Sequence, residues 1–110
     1  MEITTKNEKS AVVVTVTGRM DAVTAPEFEK NLSPLLAAGA GTVVINFREL
    51  EYISSAGLRS ILAVAKQLKA NQREMVITGL QGSVQEVFKL SGFYSIFKIA
   101  ASEEEALNTD

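Results

Sequence analysis

The feature that most constrains this chain is the regular alternation of strand-like and helix-like segments along its sequence. Residues 42–47 are apolar on both faces of a strand, which is typical of a strand buried between layers of helices. Residues 55–69 follow with apolar side chains at a spacing of three and four, the pattern of an amphipathic helix. Such alternation favours a sheet whose central strands are parallel and joined by right-handed crossovers. We therefore predict an α/β fold.

The predicted order of elements is ββαβαβαβα, with a mixed sheet of four or five strands and helices packed on it. The strands are expected at residues 3–5, 11–17, 42–47, 74–78 and 97–99, with Gly18 ending the second. Three Ser/Thr-x-x-Glu capping boxes predict helix starts, at Thr24–Glu27, Ser83–Glu86 and Ser102–Glu105. Pro34 is expected to kink the first helix or to split off its last turn.

Apolar side chains that these patterns turn inward form the predicted core. They are Val14, Val16, Leu32, Val44, Ile45, Leu58, Leu62, Ile77 and Phe88. The length of 110 residues suits a single domain, which we expect over residues 1–110. Order is expected to end at about residue 107, because chain termini fray.

Composition excludes several classes of function. The formal charge is −2, from 11 basic and 13 acidic residues without a basic cluster, which disfavours nucleic acid binding. No apolar run is long enough to span a bilayer, and the first residues do not resemble a signal peptide, so a cytoplasmic location is expected. The absence of cysteine and histidine excludes Cys or His nucleophiles, a Ser-His-Asp triad and an imidazole or thiolate metal site. We therefore expect no enzyme activity, no metal and no cofactor.

Two adjacent serines, Ser54 and Ser55, stand where a predicted strand gives way to the helix over residues 55–69. Free backbone N–H groups and the helix dipole favour an anion at such a position, so a phosphate on either hydroxyl is electrostatically well placed. Ala56 and Gly57 leave the first turn uncrowded for the approach of a partner. The alternative is that the serines are simply helix N-caps.

Three other motifs bear on function. Asp21 follows the second strand, and it is either an Asx-turn acceptor or a functional carboxylate. The segment Gly39-Ala40-Gly41 lacks the further residues of a phosphate-binding loop and is interpreted as a turn. The acidic run Glu103-Glu104-Glu105 suits the first turn of a helix, and we assign no function to it.

Taken together, these segments resemble a STAS domain, the fold shared by bacterial anti-sigma-factor antagonists and the cytoplasmic tails of sulphate transporters. Residues 14–21 resemble the second strand of the family, which ends in a glycine followed by an apolar–Asp pair. Residues 24–28 resemble the start of its first helix. Residues 43–58 resemble the strand and loop that hold the family's phosphorylation site.

The resemblance implies a function as an anti-sigma-factor antagonist. In the family, the unphosphorylated antagonist binds an anti-sigma factor that is also a serine kinase, and the sigma factor is released. Phosphorylation breaks that complex, and a metal-dependent serine phosphatase restores binding. By resemblance, Ser55 is the phosphoacceptor. The implied partner-binding residues are Asp21, Ser54, Ser55, Ala56, Gly57, Leu58 and Arg59.

Two residues depart from the family pattern. Ser54 replaces the aspartate usually found just before the acceptor, and Arg59 replaces a small residue. Ser54 and Ser55 are thus both candidate acceptors. The alternatives to a phosphorylated antagonist are a STAS scaffold or sensor subunit without phosphorylation, and a small nucleotide-binding domain. The oligomeric state is expected to be a monomer or a weak dimer.

Overall fold

The computed structural model describes residues 1–37, 39 and 41–108. The strands within these ranges are β1 (Glu2–Glu8), β2 (Ala11–Met20), β3 (Val43–Asn46), β4 (Leu50–Ile53), β5 (Met75–Thr78) and β6 (Lys98–Ala100). The helices are α1 (Ala25–Ala37), α2 (Ser55–Ala70), α3 (Gly82–Leu90) and α4 (Glu103–Leu107), with a short 3-10 turn at Phe93–Ser95. Ala40 and the last two residues, on which parts of the turn and tail predictions fall, lie outside the described residues.

The strands form one mixed sheet in the order β1-β2-β3-β5-β6, and β4 pairs with β2. The β1–β2 pair is antiparallel, whereas β2, β3, β5 and β6 pair in parallel. The connections between parallel neighbours contain α1, α2 and α3, as expected for helical crossovers. The predicted α/β class and mixed sheet are confirmed, with one more strand than the four or five expected.

The additional strand is β4, which sequence analysis treated as loop. Its two buried residues, Leu50 and Ile53, are three apart and would face opposite sides of a regular strand. The pairing register with β2 shifts between Gly18 and Arg19, so that Glu51 is an extra residue in β4. This bulge turns both apolar residues toward the core. The sequence of β4 therefore lacks the alternation of apolar and polar residues that is typical of a strand.

Strand β2 also continues past the residue predicted to end it. Gly18 has φ of +100°, a conformation that favours glycine, but the strand runs on to Met20. The first part of β2 pairs with β3 and its last residues pair with β4. The prediction that Gly18 terminates the strand is therefore wrong, because the residue sits at a change of partner strand.

The three capping boxes have different outcomes. Ser83 lies inside α3, whose N-cap is Gln81 and makes no side-chain capping hydrogen bond, so that prediction is wrong. The helix start predicted at Thr24 is confirmed, because α1 begins at Ala25, but the Thr24 hydroxyl donates to the Arg19 carbonyl and accepts from the Asp21 N–H instead of capping the helix. In contrast, Ser102 is the N-cap of α4, where its side chain accepts a hydrogen bond from the Glu105 backbone N–H.

Pro34 lies within α1, which continues to Ala37 without a separate last turn. The carbonyl that would have bonded to the missing N–H belongs to Lys30, and both residues are exposed. Water can therefore satisfy that carbonyl, and the helix tolerates the proline.

The larger core lies between the sheet and helices α1, α2 and α3, and a smaller cluster lies under α4 on the opposite face. Seven of the nine predicted core residues are buried: Val14, Val16, Leu32, Val44, Ile45, Ile77 and Phe88. Leu58 and Leu62 are only partly buried, because α2 is rotated so that Ile61, Val64 and Leu68 face the core.

This rotation of α2 is testable by a matched pair of truncations. Ile61→Ala removes a fully buried side chain and should lower the free energy of unfolding by about 2–5 kcal/mol. Leu62→Ala, at the adjacent and partly exposed position, should cost distinctly less. Urea denaturation of both variants measures the difference, and equal losses would contradict the observed orientation of the helix.

Candidate functional site

Ser54 joins the end of β4 to the start of α2 and is the N-cap of that helix. Its backbone is extended, with φ of −101° and ψ of 176°, and its hydroxyl accepts a hydrogen bond from the Gly57 N–H at 3.2 Å. Its own N–H donates to the Met20 carbonyl at 2.9 Å, which ties the helix start to the end of β2. The N-cap interpretation therefore holds for Ser54, whose hydroxyl is already engaged.

Ser55 is the first residue of α2 and is exposed. Its hydroxyl makes no hydrogen bond within the part of the chain that the structure describes. The first turn of α2 contains no acidic residue, so the positive end of the helix dipole is uncompensated there. The two serines therefore differ: Ser54 caps the helix, and the exposed Ser55 presents a free hydroxyl.

Gly57 allows the first turn of α2 to lie against the ends of the two neighbouring strands. A Cβ at this position would lie 2.7 Å from the Ile53 Cγ1 atom and 3.0 Å from the Met20 carbonyl oxygen. Both distances are shorter than ordinary contacts, and a carbonyl oxygen in a paired strand has little freedom to move. The glycine is therefore required by close packing and not by an unusual φ.

Asp21 begins the loop between β2 and α1, directly after Met20. One carboxylate oxygen accepts hydrogen bonds from the backbone N–H groups of Val23 at 3.0 Å and Thr24 at 3.1 Å. The bond from the Thr24 N–H is the main cause of a pKa below the usual value of this carboxyl group. The geometry thus matches the Asx-turn interpretation, and it fixes the loop beside the start of α2.

The remaining predicted partner-binding residues lie along the first turns of α2. Ala56 and Leu58 are partly buried, and Arg59 is exposed. Arg59 follows Ser55 by four residues, so the two side chains lie on the same face of the helix. Residues 54–59 and the loop 21–24 therefore form one continuous end of the molecule, which we call the Ser55 surface.

Sequence analysis missed two features near this surface. Val23 is 82% exposed at the tip of the loop that Asp21 shapes, an unusual position for a branched apolar residue. The Arg19 guanidinium lies 4.2 Å from the ring centre of Tyr52, a cation–π contact between paired residues of β2 and β4. The sequence signal for Val23 is an apolar residue inside a turn motif. The contact between Arg19 and Tyr52 has no such signal, because it depends on strand β4, which was not predicted.

Among the residues described, no three His, Cys, Asp or Glu side chains group together in a way that could hold a metal ion. No helix in those same ranges has the length and apolar character needed to cross a membrane.

Comparison with known proteins identifies the family. The STAS domain model matches residues 2–106, and the chain belongs to the STAS domain family. A Bordetella bronchiseptica protein described as a candidate anti-sigma factor antagonist, BtrV, is 40% identical over 106 residues, covering 96% of this chain and 91% of its own. The anti-sigma-B factor antagonist of Staphylococcus aureus is 26% identical over 104 residues, covering 94% and 96% respectively.

A solved structure shows the same fold. The Bacillus cell fate determinant SpoIIAA in its phosphorylated form superposes with a TM-score of 0.72, at 22% identity and over 97% of each chain. At this identity the similarity establishes the architecture, with the mixed sheet and its helices.

The role of Gly57 gives a prediction about stability. Gly57→Ala should lower the free energy of unfolding by about 1–3 kcal/mol, because the added methyl group overpacks the contact with Met20 and Ile53. Ser55→Ala, in the same helical turn but exposed, is the control and should change stability little. Thermal denaturation of both variants tests this, and an unaltered Gly57→Ala protein would refute the close packing.

The Asp21 turn gives a prediction about pH. Because the folded pKa of Asp21 lies below the usual value of 3.8, the ionised carboxylate stabilises the fold above that pH, and the contribution is lost as the pH falls through the folded pKa. The stability advantage of the wild type over Asp21→Ala should therefore shrink below pH 3.8. Melting temperatures of both proteins across the acid range measure it, and a constant difference would contradict the ionised turn.

Proposed function

We propose that this chain is an anti-sigma factor antagonist whose binding to its partner is controlled by phosphorylation of Ser55. The observation that carries the proposal is the exposed, unpartnered Ser55 hydroxyl at the N-terminus of a long helix. The names of the two relatives support the antagonist role. The phosphorylated SpoIIAA structure, a neighbour in fold, supports the modification.

The structure also favours Ser55 over Ser54 as the acceptor. The Ser54 hydroxyl is half-buried and accepts the hydrogen bond that caps α2, so a kinase would have to break this cap to reach it. Ser55 is exposed and its oxygen is free to attack. In the proposed reaction the Ser55 Oγ bonds to the γ-phosphorus of ATP held by the partner kinase, its proton passes to a base of that kinase, and ADP leaves.

The partner is an anti-sigma factor that is itself a serine kinase. Unmodified Ser55 lets the partner approach the first turn of α2 closely, because Ser55 and Ala56 carry small side chains. Gly57 is buried against Met20 and Ile53, so it holds the turn in place and does not itself meet the partner. A phosphate adds close to two negative charges to this contact. Burying them without partners costs several kcal/mol, which is enough to separate the two proteins and return the anti-sigma factor to its sigma factor.

Removal of the phosphate by a serine phosphatase resets the proposed switch. Within the free protein the phosphate would be well tolerated, because it lies at a helix N-terminus and one helical turn from the Arg59 guanidinium. The chain therefore acts as a regulatory substrate and performs no catalysis itself. We propose that it works in the cytoplasm as a monomer or a weak dimer. We also propose that residues 1–110 form one domain.

The decisive experiment measures binding to the cognate serine-kinase anti-sigma factor by calorimetry. Ser55→Asp should weaken binding at least tenfold, or about 1.4 kcal/mol, because a fixed charge enters the interface. Its melting temperature should stay near that of the wild type, since an acidic residue at this helix position is locally favourable. Ser55→Ala, the matched neutral variant, should bind normally but accept no phosphate from the kinase and ATP.

Ser54→Ala separates the two serines. It should still accept one phosphate and lose only a capping contribution of about 1 kcal/mol in stability. Mass spectrometry that places the phosphate on Ser54 would overturn the assignment. Wild-type affinity in Ser55→Asp would instead favour a STAS scaffold or sensor subunit that is not switched by phosphorylation.

A further inference from the structure

Strand β1 forms an open edge of the sheet. Among the described strands it pairs with β2 alone, and most of its side chains are exposed. It has seven residues, whereas β6 at the opposite edge has three. A long edge presents a row of unpaired N–H and C=O groups to which another strand can bond, so native proteins usually shorten or block such edges.

The main-chain groups that point outward from β1 follow from the hydrogen bonding of β2. The Val12 N–H donates toward β3, to the Thr42 carbonyl at 3.0 Å. Successive residues of a strand bond to alternate sides, so the odd-numbered residues of β2 bond to β1. In the observed register these oppose the even-numbered residues of β1, which leaves the main-chain groups of Ile3, Thr5 and Asn7 facing outward. Within the described ranges these groups make no hydrogen bond.

The charged side chains of β1 all lie on one face of the sheet. Ile3 packs against the larger core, on the face of α1, α2 and α3. Lys6 lies on the other face, where its ammonium pairs with the Glu103 carboxylate of α4 at 3.0 Å. Because side chains alternate along a strand, Glu2 and Glu8 share the face of Lys6. This row of charges therefore discriminates between the registers in which another strand could pair with β1.

A second copy of β1 can complete this edge. A two-fold axis between antiparallel edge strands runs perpendicular to the sheet, so the α4 faces of the two copies lie together. With the axis at Thr4, Glu2 of each copy lies opposite Lys6 of the other, in a pair without main-chain hydrogen bonds, where side chains approach most closely. The outward N–H and C=O groups of Ile3 then meet those of Thr5 in the second copy and form the main-chain ladder.

Like charges oppose the registers with the axis further along the strand. An axis at Thr5 places Glu2 of each copy opposite Glu8 of the other. An axis at Lys6 places the two lysines opposite each other. Like charges in directly opposed pairs destabilise a sheet, so both registers are disfavoured.

Axes nearer either end of β1 overlap fewer residues. An axis at Asn7, for example, opposes Lys6 and Glu8 but pairs only residues 6–8 of the two strands. The axis at Thr4 combines opposite charges with a longer overlap, and it uses the outward main-chain groups. The sequence of β1 is therefore complementary to itself in this one register.

We propose that β1 is a homodimer surface, on which a second copy of this chain adds its own β1 with the two-fold axis at Thr4. The contact involves one strand of each copy, so it is small and the dimer dissociates readily. It shares no residue with the Ser55 surface, so it goes beyond the proposed switch and does not rest on it. Each dimer carries two Ser55 surfaces, one from each copy.

Cysteine cross-linking locates the axis, because the chain has no cysteine of its own. In the proposed dimer the Cα atoms of the two Thr4 residues lie about 4.5 Å apart, which a disulfide can bridge. Thr4→Cys should therefore form a disulfide-linked dimer in a glutathione redox buffer, detected by non-reducing gel electrophoresis. Thr5→Cys is the matched control. Its two copies lie diagonally, about 7–8 Å apart, so it should cross-link at least about tenfold more slowly.

Charge reversal tests the pairing without a cross-link. Sedimentation of the full chain at about 10 μM to 1 mM should show a concentration-dependent dimer, since small interfaces dissociate in this range. Glu2→Lys should raise the dissociation constant about tenfold, because it places like charges opposite each other. Glu8→Lys makes the same change in net charge outside the paired residues, so its dissociation constant should stay within about twofold of the wild-type value. The double variant Glu2→Lys/Lys6→Glu exchanges the two charges and should restore dimerisation.

Melting temperatures show that the variants are folded. The double variant also loses the exposed ion pair between Lys6 and Glu103, but such pairs contribute little to stability. A wild-type monomer at every concentration, cross-linking of Thr5→Cys as fast as that of Thr4→Cys, or equal effects of Glu2→Lys and Glu8→Lys would each overturn the proposal. A double variant as weak as Glu2→Lys would overturn it as well. None of these results bears on partner binding by Ser55.

Discussion

The candidate site depends on one irregularity in the sheet, the register shift between Gly18 and Arg19. There β2 leaves β3 and pairs with β4, and the extra residue Glu51 lets both Leu50 and Ile53 reach the core. The bulge also aligns the ends of β2 and β4. This places the Met20 carbonyl where the Ser54 N–H can bond to it, so the start of α2 is fixed by main-chain contacts.

A fixed helix start gives adjacent serines different chemical roles. The Ser54 hydroxyl accepts the hydrogen bond that caps α2, while Ser55, one residue later, has an exposed side chain. The cap and the close packing of Gly57 keep the first turn rigid, so a charge added to Ser55 need not disturb the fold. A switch built this way changes the surface that a partner meets and leaves the domain itself intact, which suits repeated cycles of modification and reversal.

Local pattern was sufficient for the parts of the chain that follow simple periodicity. The buried strand β3, the long helix α2 and the cap at Ser102 were predictable, because each depends on residues close in sequence. Strand β4 was not, since its apolar residues fit neither period until the bulge is known. The orientation of α2 was also missed: Leu58 and Ile61 look equivalent in the sequence, and only the sheet decides which one is buried.

The sequence by itself determined the α/β class, the order of most elements and the position of two serines at a helix start, because these follow from short-range periodicity and composition. Only the tertiary structure decided which serine is free, since that depends on the bond from Ser54 to Met20 and on packing around Gly57. It also brought the Asp21 turn beside the start of α2. Residues distant in the chain meet there because the parallel strands β2 and β4 end at a common edge.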